Sequence, residues 1–371
     1  METAFTLKYA RTIVLFCASV AKFFSGVGLY GTDLPHARAT SNEQRAALGI
    51  QRLQSWFDPE TGLYRTTGWW NSANAVTTLA DYSRATGDKQ YEEVFPTVFS
   101  AAQRKSAGFL NDYYDDEGWW ALAWIDAYDL THQRQYLQMA QSIFEDMAKG
   151  WDDTCSGGIW WSKERKYKNA IANELFLSVA AHLVMRARGK KLRRRYLDWA
   201  EREWRWFHLS GMINSSHLIN DGLDANCANN HKTTWSYNQG VILGGLSELY
   251  RKTHDERLLS DTDAIAGATI SSTVLTDARG ILHDPCEPDC GGDGTQFKGI
   301  FVRNLASLYK VTPSPRYKAF VTVNANSIWN GMQAPQYNIG ATWTAPHGTV
   351  NASTQSSGAD VLVAAVTMHV Q

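Results

Sequence analysis

From residue 41 to the C-terminus the chain alternates between two kinds of helical segment, and this alternation limits the fold more than any other feature. Leu192, Tyr196, Trp199, Ala200, Trp204 and Phe207 fall on one stripe, with Arg193, Arg194, Asp198, Glu201 and Arg205 off it. That pattern belongs to a helix with one face in water. Trp119 to Ile125 reads instead as apolar all round, as in a helix enclosed by others. One-sided segments near 43–56, 89–109, 132–149, 191–208, 256–275 and 314–330 are each followed by an enclosed one, near 69–86, 116–130, 169–188, 234–253, 297–310 and 355–370. The pair recurs every ~45 to 65 residues, and no convincing period-two strand interrupts it. Such hairpins cannot bury two faces alone, but six of them can close into a double ring whose inner helices line a central cavity. The expected fold is all-α, a single (α/α)6 toroid of six helical hairpins spanning 41–371.

The rest of the chain reads as processing and linkage. Lys8 and Arg11 precede the apolar run Ile13 to Ala21, and Ser19-Val20-Ala21 resembles a small-residue cleavage site. Residues 1–21 are read as a cleaved signal peptide, because the run is far short of the ~20 apolar residues that span a bilayer. Residues 22–40 form an N-terminal linker. The mature protein is expected to be secreted, extracellular, monomeric and without a membrane anchor. Ser356-Ser357-Gly358 followed by Val361 to Val366 superficially resembles a lipid-anchor signal, but it lacks the polar spacer and supplies the sixth inner helix. Removal of Cys17 with the signal leaves Cys155, Cys227, Cys286 and Cys290, an even count suited to two disulfides. Of three possible pairings, Cys155 with Cys227 and Cys286 with Cys290 is favoured. Asn214-Ser215-Ser216 and Asn351-Ala352-Ser353 are acceptor triplets for N-glycosylation.

A formal net charge of -1 offers no long-range attraction to nucleic acid or anionic lipid, and so favours a neutral partner. The run Lys190-Lys191-Leu192-Arg193-Arg194-Arg195 lies on an outer helix and reads as a solvated face. Fifteen Trp and sixteen Tyr include many core residues, yet aromatic faces also stack on sugars. No zinc spacing, C-x-x-C or G-x-G-x-x-G after a strand is present, so no metal or cofactor is expected. The acidic loop from Asp284 to Asp293 fits a disulfide-stapled rim of the cavity better than a calcium loop.

Asp115 and Asp116 sit at the start of the second inner helix, where unpaired N–H groups favour negative charge. Capping alone explains acids there. A second pair, Asp152-Asp153, leads into a turn-rich loop and reads as a turn or cap. Two adjacent acids at a cavity mouth can nevertheless divide the work of glycoside hydrolysis, since one raises the pKa of the other and holds a proton while its neighbour is ionised.

The stretch NDYYDDEGWWALAWIDAYDLT around this pair resembles the signature of glycoside hydrolase family 76, the endo-α-1,6-mannanases and their fungal wall-remodelling relatives. GGIWWSKERKYKNAIANELFLSVAAHL at 157–183 and TTWSYNQGVILGGLSELYRKT at 233–253 resemble the same family. The resemblance covers roughly 41–370. It implies an (α/α)6 fold, cleavage of α-1,6-mannan with retention, and an adjacent Asp pair, with Asp115 as nucleophile and Asp116 as acid/base. Resolution of the same intermediate by a sugar acceptor, as in the wall-remodelling relatives, would make the protein a mannan or GPI-glycan transglycosylase. A non-catalytic mannan-binding protein is the other alternative.

Substrate contacts are expected from Trp69, Trp119, Trp120 and Trp160, taken from the pairs Trp69-Trp70, Trp119-Trp120 and Trp160-Trp161, in each of which one ring should face the core. Asn74, Asn173, Tyr237 and Asn238, in the first turns of inner helices, can bind sugar hydroxyls. Arg303, unusual on an enclosed helix, is expected to pair with Asp115 or to hold a hydroxyl.

Overall fold

The structure is a computed structural model that describes residues 40–370, so the signal peptide and linker expected at 1–40 fall almost wholly outside the described residues. Twelve α-helices follow in strict alternation. The outer helices are α1 (Asn42–Gln54), α3 (Val94–Ala101), α5 (Arg134–Met147), α7 (Lys190–Leu209), α9 (Glu256–Ser271) and α11 (Pro315–Gly331). The inner ones are α2 (Trp69–Thr86), α4 (Tyr114–Thr131), α6 (Ala170–Arg186), α8 (Ser236–Thr253), α10 (Phe297–Tyr309) and α12 (Ala352–Thr367). Each inner helix packs on the next, and α12 returns to α2, so the inner ring closes. This is the (α/α)6 toroid. Burial follows the division: every residue of α6 from Ala170 to Ala181 is buried, whereas α7 buries one stripe that includes Tyr196, Ala200 and Phe207.

Two details depart from the sequence reading. The second outer segment, expected as one helix over 89–109, is a short α3 followed by two 3-10 turns at Ala102–Arg104 and Ala107–Phe109. Gly108 at φ 67 breaks the helical run and lets Phe109 turn into the core. A small hairpin, β1 (Phe57–Asp58) with β2 (Leu63–Tyr64), lies where no strand was expected. The segment 356–366 lies within buried α12.

The two ends of the inner ring differ in chemistry. At the end where the inner helices finish, their unpaired carbonyls favour cations, and Arg84 meets Asp81 and Asp126 at 2.7 Å while Arg186 forks onto Asp129 at 2.8 and 2.9 Å. These side chains line a cavity of about 170 Å³ and tie three inner helices, α2, α4 and α6, together. The other end, where the inner helices begin, carries Asp115 and Asp116. Long loops build its rim. The Cys155–Cys227 and Cys286–Cys290 disulfides staple two of them, in the pairing favoured from sequence.

Candidate active site

Tyr113 has extended backbone, and the chain turns into α4 at Tyr114, so Asp115 and Asp116 occupy the first helical turn. The preceding Asn111 organises this turn twice: its Oδ1 accepts from the backbone N–H of Tyr113 at 2.8 Å, and its Nδ2 donates to Asp116 Oδ2 at 2.6 Å. Asp115 is held from the opposite side by Trp161, whose indole N–H donates to Oδ2 at 3.0 Å. The other oxygen, Oδ1, is buried with no partner among the described residues.

Burial pushes the Asp115 carboxyl up to about 8, with the charge of Asp116 as the next cause, against the stabilising indole bond. Burial raises Asp116 to about 6, opposed by the bond from Asn111. Adjacent carboxyls so placed lose their two protons in separate steps, so the pair can hold one proton near neutral pH.

The loop carrying Trp161 is docked to the approach to α4. Tyr114 N–H donates to the Trp161 carbonyl at 2.9 Å and Lys163 N–H to the Asp112 carbonyl at 2.9 Å. Lys163 also sends its ammonium group between Glu117 and Asp146, at 2.8 Å from each. Glu117 is fully buried behind this first turn of α4, where burial raises its carboxyl to about 8 in spite of Lys163. Because Lys163 lies two residues from Trp161, this bridge fixes the height of the indole above Asp115. Lys163→Met is expected to lower kcat about tenfold with little change in KM and to cost about 2 kcal/mol, between an exposed and a buried pair. Lys163→Arg should recover most of both. Steady-state kinetics and thermal unfolding would check this, and unchanged kcat in Lys163→Met would remove the positioning role.

The tryptophan pairs divide as expected in principle, though two of the four chosen rings face the wrong way and a third serves a loop. Trp69 and Trp120 are core, packed against one another at 4.9 Å and against Phe109. Trp160 donates its indole N–H to Asp152 at 2.7 Å and lies under the Lys168 ammonium, so it braces its own loop. Trp161 is the member of its pair at the site. Trp119 stacks on Trp70 at 5.6 Å, and Trp70 in turn donates to Asp293 at 2.9 Å. Asp152 accepts from Lys168, Trp160 and the Thr154 N–H, a structural role that agrees with its reading as a turn residue.

Asn173 is also corrected. It both accepts from the Ile159 N–H at 2.7 Å and donates to the Ile159 carbonyl at 2.9 Å, fastening the Trp160-Trp161 loop to α6. Arg303 reaches neither Asp115 nor the rim. It lies across the middle of the ring on Asp360 at 3.3 Å and on Asn74 Oδ1, which removes Asn74 from the substrate contacts as well. A buried guanidinium demands such partners, and α12 supplies Asp360 one ring position away. Tyr237 stacks on Phe297 at 3.8 Å, and Asp221, Asp115, Glu174 and Asp293 all contribute to raising its phenol well above the ordinary value, after burial. Asn238 is buried beside it with both side-chain polar atoms unpartnered among the described residues, as are both oxygens of Glu174. The site thus combines Asp115, Asp116, Trp161, Asn111, Trp70, Trp119, Tyr237, Phe297 and Asp293.

Asn214 and Asn351, the glycosylation candidates, both have engaged side chains. Asn214 Nδ2 donates to Asn220 at 3.0 Å, and Asn351 caps α12 by accepting from the Thr354 N–H at 2.9 Å. In the rim loop, Asp284 accepts from Ser236 at 2.6 Å and Glu287 pairs with buried Lys298 at 2.5 Å. Those carboxylates hold protein groups. Among the described residues no group of three or more His, Cys, Asp or Glu is arranged to hold a metal ion, and no helix is long and apolar enough to cross a membrane.

The chain is 30% identical over 276 residues to the mannan endo-1,6-alpha-mannosidase DCW1 of Eremothecium gossypii, an alignment that takes in 67% of this chain and 59% of that protein. It thus spans well under two thirds of that relative's length. Among solved structures it resembles the α-1,6-mannanase of a Salegentibacter species, with a TM-score of 0.78 and 25% identity over 87% of this chain and 98% of that one. An inactive form of that enzyme, with two consecutive aspartates replaced by alanine and α-1,6-mannotetrose bound, superposes with a TM-score of 0.80 at 24% identity, over 88% of this chain and 99% of that one. The profile of glycosyl hydrolase family 76 matches residues 42–370, and the chain belongs to that family.

Proposed function

We propose that this protein is a retaining endo-α-1,6-mannanase that uses Asp115 and Asp116 as its catalytic pair. The observation that carries the reading is the pair of adjacent carboxyls, fixed on opposite sides by Trp161 and Asn111 at the mouth of the inner ring, where burial raises both. In the first step the Asp115 carboxylate attacks the anomeric carbon. The glycosidic C–O bond breaks, and Asp116 gives its proton to the departing oxygen. In the second step water attacks the same carbon, Asp116 takes the water's proton, and the bonding pair returns to Asp115. In the free protein Asp115 is the weaker acid, so this division requires the shared proton to pass to Asp116 as sugar binds. The move leaves the pair's charge unchanged. A sugar that displaces water from the less deeply buried Asp116 favours it, while the Trp161 bond stabilises charge on Asp115.

Half-buried Trp70 and Tyr237, backed by the buried rings of Trp119 and Phe297, supply aromatic faces for the sugar rings, with Asn238 and Glu174 as unspent hydrogen-bond capacity beneath them. No cofactor enters this mechanism. We further read the protein as secreted, a reading supported by its two disulfides. Incubation with linear α-1,6-mannan should release new reducing ends, and mass spectrometry should show products shorter than the donor. Products longer than the donor would replace hydrolysis by transglycosylation, and binding without new reducing ends would leave a mannan-binding protein.

A further inference from the structure

The outer helix α7 holds a concentration of charge that the catalytic reading does not use. In a chain of net charge -1, Lys191, Arg194, Arg195, Arg202 and Arg205 lie exposed along it. Two shallow cavities follow its length and share Arg202. One, of about 380 Å³, is lined by Lys191, Arg194, Arg195 and Trp199; the other, of about 820 Å³, by Trp151, Trp206, Arg205 and Leu209. The only carboxylates lining either are Asp198 and Asp153, and Arg194 already neutralises Asp198 at 2.7 Å. Arg195 reaches Glu145 on α5. Lys191, Arg202 and Arg205 have no carboxylate partner among the described residues. Arg202 instead lies over the rings of Trp151 at 4.2 Å and Trp199 at 5.2 Å, its hydrogen-bonding edge left to solvent.

Together the cavities form a trough of about 27 Å at 1.5 Å per residue from Lys191 to Leu209, room for several sugar rings. Arginines alternate with tryptophan faces along it. Outer helices run toward the mouth at which the next inner helix begins, so the Leu209 end of the trough lies on the catalytic side. Its wall there is Cys155 and Ser156. Five residues further along the same loop, Trp161 touches Asp115.

We propose that this trough is a second glycan-binding site, selective for polysaccharide that carries anionic groups, phosphate or carboxylate, and that it delivers such chains to the catalytic mouth. The guanidinium groups of Arg202 and Arg205 receive the anion, and Arg202 is held in place for it by the rings of Trp151 and Trp199 on which it lies. A neutral glycan would gain only contact with the ring edges. Nucleic acid is disfavoured because the remainder of the protein offsets the local charge. The delivery role rests on the mannanase reading, whereas binding in the trough does not.

The test compares affinity electrophoresis of the full chain in α-1,6-mannan, in the same polymer after chemical phosphorylation, and in a uronate-bearing polysaccharide. Asp115→Asn serves as the background, so that no probe is degraded. Phosphorylated mannan should retain the protein about tenfold more strongly than neutral mannan at low salt, and Arg202→Ala/Arg205→Ala should abolish the difference. The uronate arm tells whether carboxylate suffices. In the otherwise active protein the double substitution should leave cleavage of a short neutral oligosaccharide unchanged, because both side chains are exposed on α7 and neither touches the Asp115–Asp116 site. Equal retention by neutral and phosphorylated polymer, survival of the difference in the double variant, or equally tight binding of a single-stranded oligonucleotide would overturn the proposal. A protein that binds phosphorylated mannan yet cleaves no mannan would keep the trough and lose the mannanase reading. One that cleaves mannan without charge-selective binding would do the reverse.

Discussion

Replacing Asp115 by Asn is expected to lower turnover of α-1,6-mannan by at least about 1,000-fold and, at neutral pH, to raise the temperature of unfolding. The two effects have one cause. Asp115 is half-buried with its Oδ1 fully enclosed, and its carboxyl is pushed up to about 8, far above the ordinary value for Asp. The folded protein therefore binds this proton more tightly than the unfolded chain does. Below about pH 4 both states are protonated and the group costs nothing. As pH rises the unfolded chain ionises first, so stability falls steadily and the full cost is present above about pH 8. An amide cannot ionise, keeps an oxygen that can accept from Trp161, and removes that cost. Asp116→Asn should lose activity to a similar degree but gain less stability, because Asp116 is raised only to about 6. Unfolding curves at pH 3 and 8 would separate the cases, since the gain should be nearly absent at the lower pH and full at the higher. In the unsubstituted protein kcat/KM should fall on both sides of the interval from about pH 6 to 8, where the pair holds one proton. Near-normal activity in both Asn variants would sink the catalytic assignment. Loss of activity with destabilisation at pH 8 would mean that the pair is structural.

The same residues show which parts of such a site a sequence exposes. The helical ring was legible because enclosure leaves a local mark: the Trp119–Ile125 stretch of α4 is apolar all round, and α7 is apolar on one stripe only. Asp115 and Asp116 were legible because their position in a first turn is itself local. What orients them is not. Trp161 lies 46 residues away on a loop, and its place over Asp115 is set by Lys163 and by backbone bonds to Asp112 and Tyr114 that no periodicity reveals. The Asn111 contact was closer to hand, since an Asn side chain commonly bonds the backbone two residues on, as Asn111 does to Tyr113, and Asp116 is only five residues away. For adjacent tryptophans the residue letters are identical, and only the helix phase decides which ring meets the core. In α2 that phase puts Trp69 inward and Trp70 toward the mouth, and in α4 it puts Trp120 inward and Trp119 toward the mouth. Arg303 misled for a related reason. A cation on an enclosed helix must find an anion, but the sequence does not say which neighbouring helix carries it, and here α12 supplies Asp360.

The largest stability effect is expected from Gly299→Ala, because closure of the inner ring depends on how nearly α10 can approach its neighbours. A methyl group on Gly299 would lie 2.4 Å from the Ser357 carbonyl oxygen and 2.5 Å from its Cα, and those are backbone atoms of α12 that cannot rotate aside. The Gly299 N–H, one of the donors left over in the first turn of α10, is satisfied across the same contact by Ser357 Oγ at 2.9 Å. On the opposite flank Gly240 of α8 meets the Phe301 backbone in the same way, at 2.5 Å from Cα. Thus α10 is wedged between two helices at van der Waals contact of backbone with backbone. In an open helix Gly→Ala stabilises by about 1 kcal/mol, through the entropy of the unfolded chain. Here the helices must separate, break the Ser357 bond and loosen Phe297 against Tyr237, so a net loss of about 3 kcal/mol is expected. Thermal unfolding should show the drop, and mannan cleavage should weaken with it as the aromatic floor shifts. Gly292→Ala is the control, since a methyl group there meets nothing within 4 Å and its backbone needs no positive φ. A higher unfolding temperature in Gly299→Ala, as for an ordinary helical glycine, would show that the ring closes without this contact.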